Sequence, residues 1–117
     1  MCEVATILMK PRSGMTLTAA ALASGLMAQG QRVCLIVPTI EDAKKFPDAI
    51  PSDMVHPAGI VTSMTRAIPD VYIFDDAIRC ADFFRRNNKG ELVTIALHRL
   101  SIHQDRVTRL YLFQYVK

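Results

Sequence analysis

Four apolar, β-rich runs punctuate this chain, and helix-forming stretches lie between them. The runs are residues 4–8 (Val-Ala-Thr-Ile-Leu), 32–37 (Arg-Val-Cys-Leu-Ile-Val), 70–74 (Asp-Val-Tyr-Ile-Phe) and 92–97 (Leu-Val-Thr-Ile-Ala-Leu). Each is continuous rather than alternating, the pattern of strands covered on both faces in a parallel sheet. Residues 4–8 are too apolar for an exposed edge and are expected inside that sheet. Residues 17–29 are rich in Ala, Leu and Met, all strong helix formers, with Leu22, Leu26 and Met27 at helical spacing and Gly30 as a C′ stop. Residues 41–45 suggest a short helix, followed by an irregular stretch rich in proline and charge. A third short strand is expected at residues 59–62. Residues 77–88 form an amphipathic pattern, with Ile78, Ala81 and Phe84 inward and Arg79, Arg85 and Arg86 outward. Residues 107–116 add a last strand. The alternation predicts one α/β domain over residues 1–117, a mostly parallel sheet of about five strands with flanking helices.

The connection between the first strand and the first long helix carries the first chemical signal. Residues 9–16 read Met-Lys-Pro-Arg-Ser-Gly-Met-Thr. In the phosphate-loop pattern G-x-x-x-x-G-K-[ST], Gly14 and Thr16 stand in register, Met9 replaces the first glycine and Met15 replaces the lysine. Such a loop works because backbone N–H groups at a helix N-terminus wrap a phosphate. Gly14 stands where that wrap needs no side chain, and Thr16 stands where a hydroxyl reaches Mg2+. Met15 cannot meet the β- and γ-phosphates as a lysine does. Lys10 and Arg12, with Ser13 between Arg12 and Gly14, are the polar groups left to bind a nucleotide from another direction. The plainer alternative is a strand–helix turn in which Gly14 and Thr16 serve only as turn and cap.

The second signal is Val71-Tyr72-Ile73-Phe74-Asp75-Asp76, four apolar residues and then two acids. This has the form of a Walker B element. A buried strand would hold Asp75 near the Mg2+ and Asp76 near an attacking water, giving Asp75 and Thr16 metal-binding roles and Asp76 the catalytic one. Its alternative is that Asp76 only caps the helix starting at Ala77.

Taken together, residues 11–16, 33–39, 59–62 and 71–76 resemble the first RecA-like domain of helicases and phage terminase ATPases. Those families carry a similar loop, a strand ending in Pro-Thr, a Thr-containing strand and an acidic pair. The resemblance covers about residues 4–98. It implies nucleotide binding, and a phage or mobile-element origin. It also brings out the departures. The second acid is Asp76 where these families usually have Glu, the loop lysine is Met15, and the second domain that supplies an arginine finger has no counterpart in these residues. Deviant P-loop families place an extra lysine near the start of the loop, where Lys10 stands.

Composition adds bounds. No apolar run approaches the roughly 18–20 residues needed to span a bilayer, and the opening residues Met1-Cys2-Glu3-Val4 lack the basic start of a secretory signal. Cys2, Cys34 and Cys80 share no metal-type spacing and read as reduced thiols of a cytoplasmic protein, with Cys34 in the core. His56, His98 and His103 form no ligand spacing either, although His98 with Arg99 ends a strand on the edge of the sheet where ligands bind. Charge is uneven. Residues 1–78 hold six Lys/Arg against eight Asp/Glu, and residues 79–117 hold eight against three. Arg79, Arg85, Arg86, Arg99, Arg106 and Arg109 are therefore candidates for contact with nucleic acid or an acidic partner, and a solvated surface is the plainer alternative. No aromatic–basic interleaving supports base stacking, so any nucleic-acid binding is expected to be weak.

The function these residues favour is a degenerate, catalytically weak or inactive P-loop-like protein that acts by binding a host protein or nucleic acid, away from membranes. Its alternative is a small active protein that binds or hydrolyses NTP through Lys10 or Arg12. ATP or GTP with Mg2+ is the expected cofactor if the loop binds nucleotide, and none is required if the loop is inactive.

Overall fold

The computed structural model describes residues 3–57, 70–80 and 109–116. Five strands form a single sheet: β1 (Glu3–Met9), β2 (Val33–Val37), β3 (Val55–Pro57), β4 (Val71–Phe74) and β5 (Arg109–Tyr115). Their order is β1-β5-β4-β2-β3, and every pairing is parallel. Helix α1 (Met15–Ala28) follows β1, and the short helix α2 (Ile40–Lys44) follows β2. A 3-10 turn at Ser52–Met54 leads into β3.

The interior strands are those whose sequence is apolar without interruption. All five residues of β2 and all four of β4 are buried. Side chains alternate across the sheet. Val33, Leu35, Val37, Val71, Ile73 and Phe113 meet the helix-side core with Met15, Ala19, Ala20, Ala23 and Leu26 of α1. Ala19 and Ala23 are wholly buried, so the helix backbone lies close to the sheet. The opposite face, with Ile36, Tyr72, Phe74, Leu110 and Leu112, is buried as well. Tyr72 and Phe74 stack there, ring centroids 6.3 Å apart. Both faces of the central strands are thus removed from water, as parallel pairing requires.

The ends of α1 follow the local sequence. Gly30 adopts φ 84°. Its N–H donates to the Met27 carbonyl, and that of Gln31 to Leu26, the paired bonds of a Schellman stop. At the other end the helix begins at Met15, two residues earlier than its composition suggests. Thr39 caps α2 with a full capping box: its hydroxyl accepts from the Asp42 N–H, and the Asp42 carboxylate accepts from the Thr39 N–H.

Three expectations need correction. Ile78, expected to face inward after β4, is 45% exposed, because Ala77 and Cys80, three residues apart, set the buried face of that turn. The first strand is an edge of the described sheet, not an interior strand, and Val4 and Leu8 are 51% and 61% exposed. Composition does not separate the two cases, because strand order is set by pairing with residues far along the chain. The stretch read as irregular contains β3, whose Val55 and Pro57 pair with Leu35 and Val37. The strands expected at residues 59–62 and 92–97, and the helix expected beyond Cys80, lie outside the described residues. Among the described residues no helix is long and apolar enough to cross a membrane.

Candidate functional site

The C-terminal ends of β1 and β4 flank the end of β5, and there Thr16 at the start of α1 meets Asp75 at the end of β4. After Met9 the chain turns through residues 10–14 and enters α1. The turn is left-handed at two positions, Arg12 (φ 64°) and Gly14 (φ 82°). Left-handed residues of this kind build the concave backbone that binds anions, and Gly14 takes the conformation without the penalty a side chain imposes. Ser13 folds back on the loop, its hydroxyl donating to the Lys10 carbonyl. Among the described residues no side chain caps the start of α1, and no acid lies in its first turn, so its positive end meets no side-chain carboxylate of that turn. Lys10 and Arg12 are exposed on the loop.

Met15 does not face outward with them. It is 2% exposed and belongs to the core beneath α1, packed with the buried alanines and Phe113. The position where a phosphate loop carries its lysine is thus occupied by an apolar side chain turned into the protein.

Thr16 and Asp75 meet directly. The Thr16 hydroxyl donates to Asp75 Oδ2 at 2.8 Å, across 59 residues of sequence. Asp75 follows the last residue of β4, and its N–H donates to the Ile36 carbonyl at 2.9 Å, so the adjoining strand holds its backbone. Asp75 is 6% exposed. Burial pushes its pKa above the ordinary range, and the nearby Asp76 and Asp42 push the same way. The Thr16 hydrogen bond and the Arg79 charge oppose the rise. Asp75 is thus a carboxylate held out of water that accepts a hydrogen bond from the Thr16 hydroxyl.

Asp76 is left-handed too, φ 59°, an uncommon conformation that Asp tolerates better than most residues. Its carbonyl accepts from the Cys80 N–H, so it opens the helical turn at residues 77–80. Its side chain lies 3.8 Å from Arg79, which also reaches Asp42 at 3.6 Å. Arg79 thus ties the acidic end of β4 to α2. Cys80 lies beneath, fully buried, its thiol donating to the Asp75 carbonyl at 3.3 Å. Burial, with Asp75 and Asp76 nearby, raises the thiol well above its usual pKa and keeps it neutral.

Tyr115 has no place in the sequence reading of the site. It ends β5 in register with Met9, between the loop strand and the acidic strand, and the Val116 N–H donates to the Met9 carbonyl. Its phenol is raised above its usual pKa by partial burial, then by Asp76 and Asp75. The alternation of β5 places it on the α1 side of the sheet. Only the strand order brings it to the site.

The basic candidates are dispersed. Arg109 begins β5 at the opposite end of the sheet from Arg79, where it lies 3.6 Å from Glu3 and donates to the Tyr111 hydroxyl. Arg85, Arg86, Arg99 and Arg106 lie outside the described residues, as do His98 and His103. His56 sits on β3 in register with Ile36. No group of three or more His, Cys, Asp or Glu able to hold a metal occurs among the described residues. A hydroxyl and one carboxylate suit Mg2+, which keeps several waters and takes its other ligands from phosphates. Thr16 and Asp75 are the residues that would hold it.

No protein-family model matches the chain, and no curated protein matches it.

Proposed function

We propose that this chain binds the phosphates of a nucleoside triphosphate with Mg2+ at the loop around Gly14, hydrolyses it slowly or not at all, and acts by engaging a protein partner. The observation that carries this reading is the Thr16–Asp75 hydrogen bond. A loop hydroxyl and a strand-end carboxylate are the protein ligands P-loop NTPases offer to Mg2+. The ion would supply positive charge against the phosphates. The left-handed loop and uncapped helix start support phosphate binding on the same side.

Slow turnover follows from Met15 and Asp76. The buried thioether offers no charge to a transferring phosphate. Asp76 lies 3.8 Å from Arg79, and that ion pair engages the carboxylate that would otherwise orient an attacking water. A second reading, active hydrolysis, is favoured by the exposed cations Lys10 and Arg12 on the loop. Calorimetric titration with ATP and GTP, each with and without Mg2+, separates these readings when combined with a turnover assay. Mg2+-dependent binding with background turnover is expected. Robust hydrolysis lost in Lys10→Ala favours the second reading, and no binding by either nucleotide removes both.

A further inference from the structure

Among the described residues β1 is an edge strand of the sheet. Most proteins guard such an edge with charge, proline or a bulge. Here the stretch between Glu3 and Lys10 carries no charge and no proline, and its seven-residue register with β5 runs without a bulge. Its large apolar side chains are left in water, Val4 at 51% and Leu8 at 61% exposure. Among the described residues β1 has one strand neighbour, β5.

The geometry points to a second copy of this chain as the occupant, its β1 antiparallel to the first about a two-fold axis at Thr6. A two-fold axis normal to a sheet keeps each side chain on its own face, so residues directly opposite must share a face. Centring on Thr6 satisfies this and sets Thr6 opposite its symmetry mate. The exposed Val4 then meets the exposed Leu8 of the second copy, twice. Aliphatic and Thr–Thr cross-strand pairs are stabilising contacts. Charge selects the direction. The strand opens on Glu3, whose side chain is 79% exposed, and runs into Lys10 and Arg12. Antiparallel pairing brings acid beside base at both ends, whereas parallel pairing sets like beside like. The result is one sheet continuous through both copies, with the two loops at its opposite margins. This interface stands apart from the nucleotide reading and does not depend on it.

The test is sedimentation equilibrium over a concentration series into the high-micromolar range, combined with cysteine crosslinking in a Cys2→Ser background. The apparent mass of the unaltered chain should climb towards twice that of the monomer. Thr6→Lys, which sets two ammonium groups face to face at a site exposed in the monomer, should keep it monomeric with an unchanged circular dichroism spectrum. Thr6→Cys should form a disulfide dimer under mild oxidation, because directly opposed strand residues lie within disulfide reach. Ala5→Cys should not, because its symmetry mate lies two residues away along the strand. A monomeric mass throughout, dimerisation of Thr6→Lys equal to that of the unaltered chain, or crosslinking of Ala5→Cys as readily as Thr6→Cys overturns the proposal.

Discussion

Thr16 and Asp75 are 59 residues apart in the chain and 2.8 Å apart in space, the first at the start of a helix and the second at the end of a buried strand. The carboxylate is removed from water and has the hydroxyl as a donor. Deleting the donor should cost more than one exposed hydrogen bond. Thr16→Ala is expected to destabilise the ligand-free protein by about 1–3 kcal/mol, the range for orphaning a buried polar group. Thr16→Ser, which keeps the hydroxyl, should lose much less. Urea unfolding of both variants measures the difference.

Asp75→Asn should act in the opposite direction. The Asp75 pKa is raised on folding. Between the ordinary value of 3.8 and the raised native one, the native state holds the proton more tightly than the unfolded chain. Stability therefore falls as pH rises through that window, and the penalty persists at neutral pH. Asn removes the charge and can still accept from Thr16. Melting temperatures across pH 3–8 should show the variant more stable than the parent at neutral pH, with the gap closing as the solution is acidified.

Met15→Lys tests what the buried thioether does. An ammonium cannot remain where Met15 packs, so the side chain must leave the core and forfeit its burial, a loss of about 1.5–3 kcal/mol. The ligand-free variant should melt lower than the parent. If the freed amine reaches the loop, Mg2+ with ATP should raise its melting temperature by more than it raises the parent's, while turnover stays low because Asp76 is unchanged.

How far the sequence spoke for itself depended on the range of the interaction. Strands β2 and β4 were legible because Val-Cys-Leu-Ile-Val and Val-Tyr-Ile-Phe have no polar face to expose. The stop at Gly30 was legible because a left-handed residue there favours glycine. The capping box at Thr39 and Asp42 rests on a local spacing, a Thr three residues before an acid. The edge position of β1 was not readable, since Val-Ala-Thr-Ile-Leu suits either place and only pairing with β5, some hundred residues on, decides. Tyr115 was hidden for the same reason: its neighbours at the site come from strands it meets only in the folded sheet.

The two described cysteines give a check on packing. Cys34 and Cys80 are both buried, and Cys80 is held neutral by its surroundings. In a Cys2→Ser background neither thiol should react with a thiol reagent in the native protein, and both should react in denaturant. Rapid native-state labelling would place one of them at the surface, contrary to the structure.

Nucleic-acid binding should be weak. Arg79 is engaged by Asp42 and Asp76, and Arg109 lies at the other end of the sheet, so these two do not form one basic face. Titration with a labelled duplex and a labelled single strand should show binding at low salt that is lost at physiological salt, without base preference. Tight binding that survives high salt would make nucleic acid a better partner than protein.

The most direct test of the central claim is the shift in melting temperature caused by nucleotide with Mg2+, measured on the parent and on Asp75→Asn. A ligand at a hundred times its dissociation constant adds about 2.7 kcal/mol to stability. Mg2+ with ATP or GTP should raise the melting temperature of the parent by several degrees, nucleotide alone should do much less, and the Mg2+-dependent part should vanish in Asp75→Asn although that variant starts from a higher value. No shift in the parent, or an equal Mg2+-dependent shift in both proteins, would contradict a role for Thr16 and Asp75 in holding a magnesium–nucleotide complex.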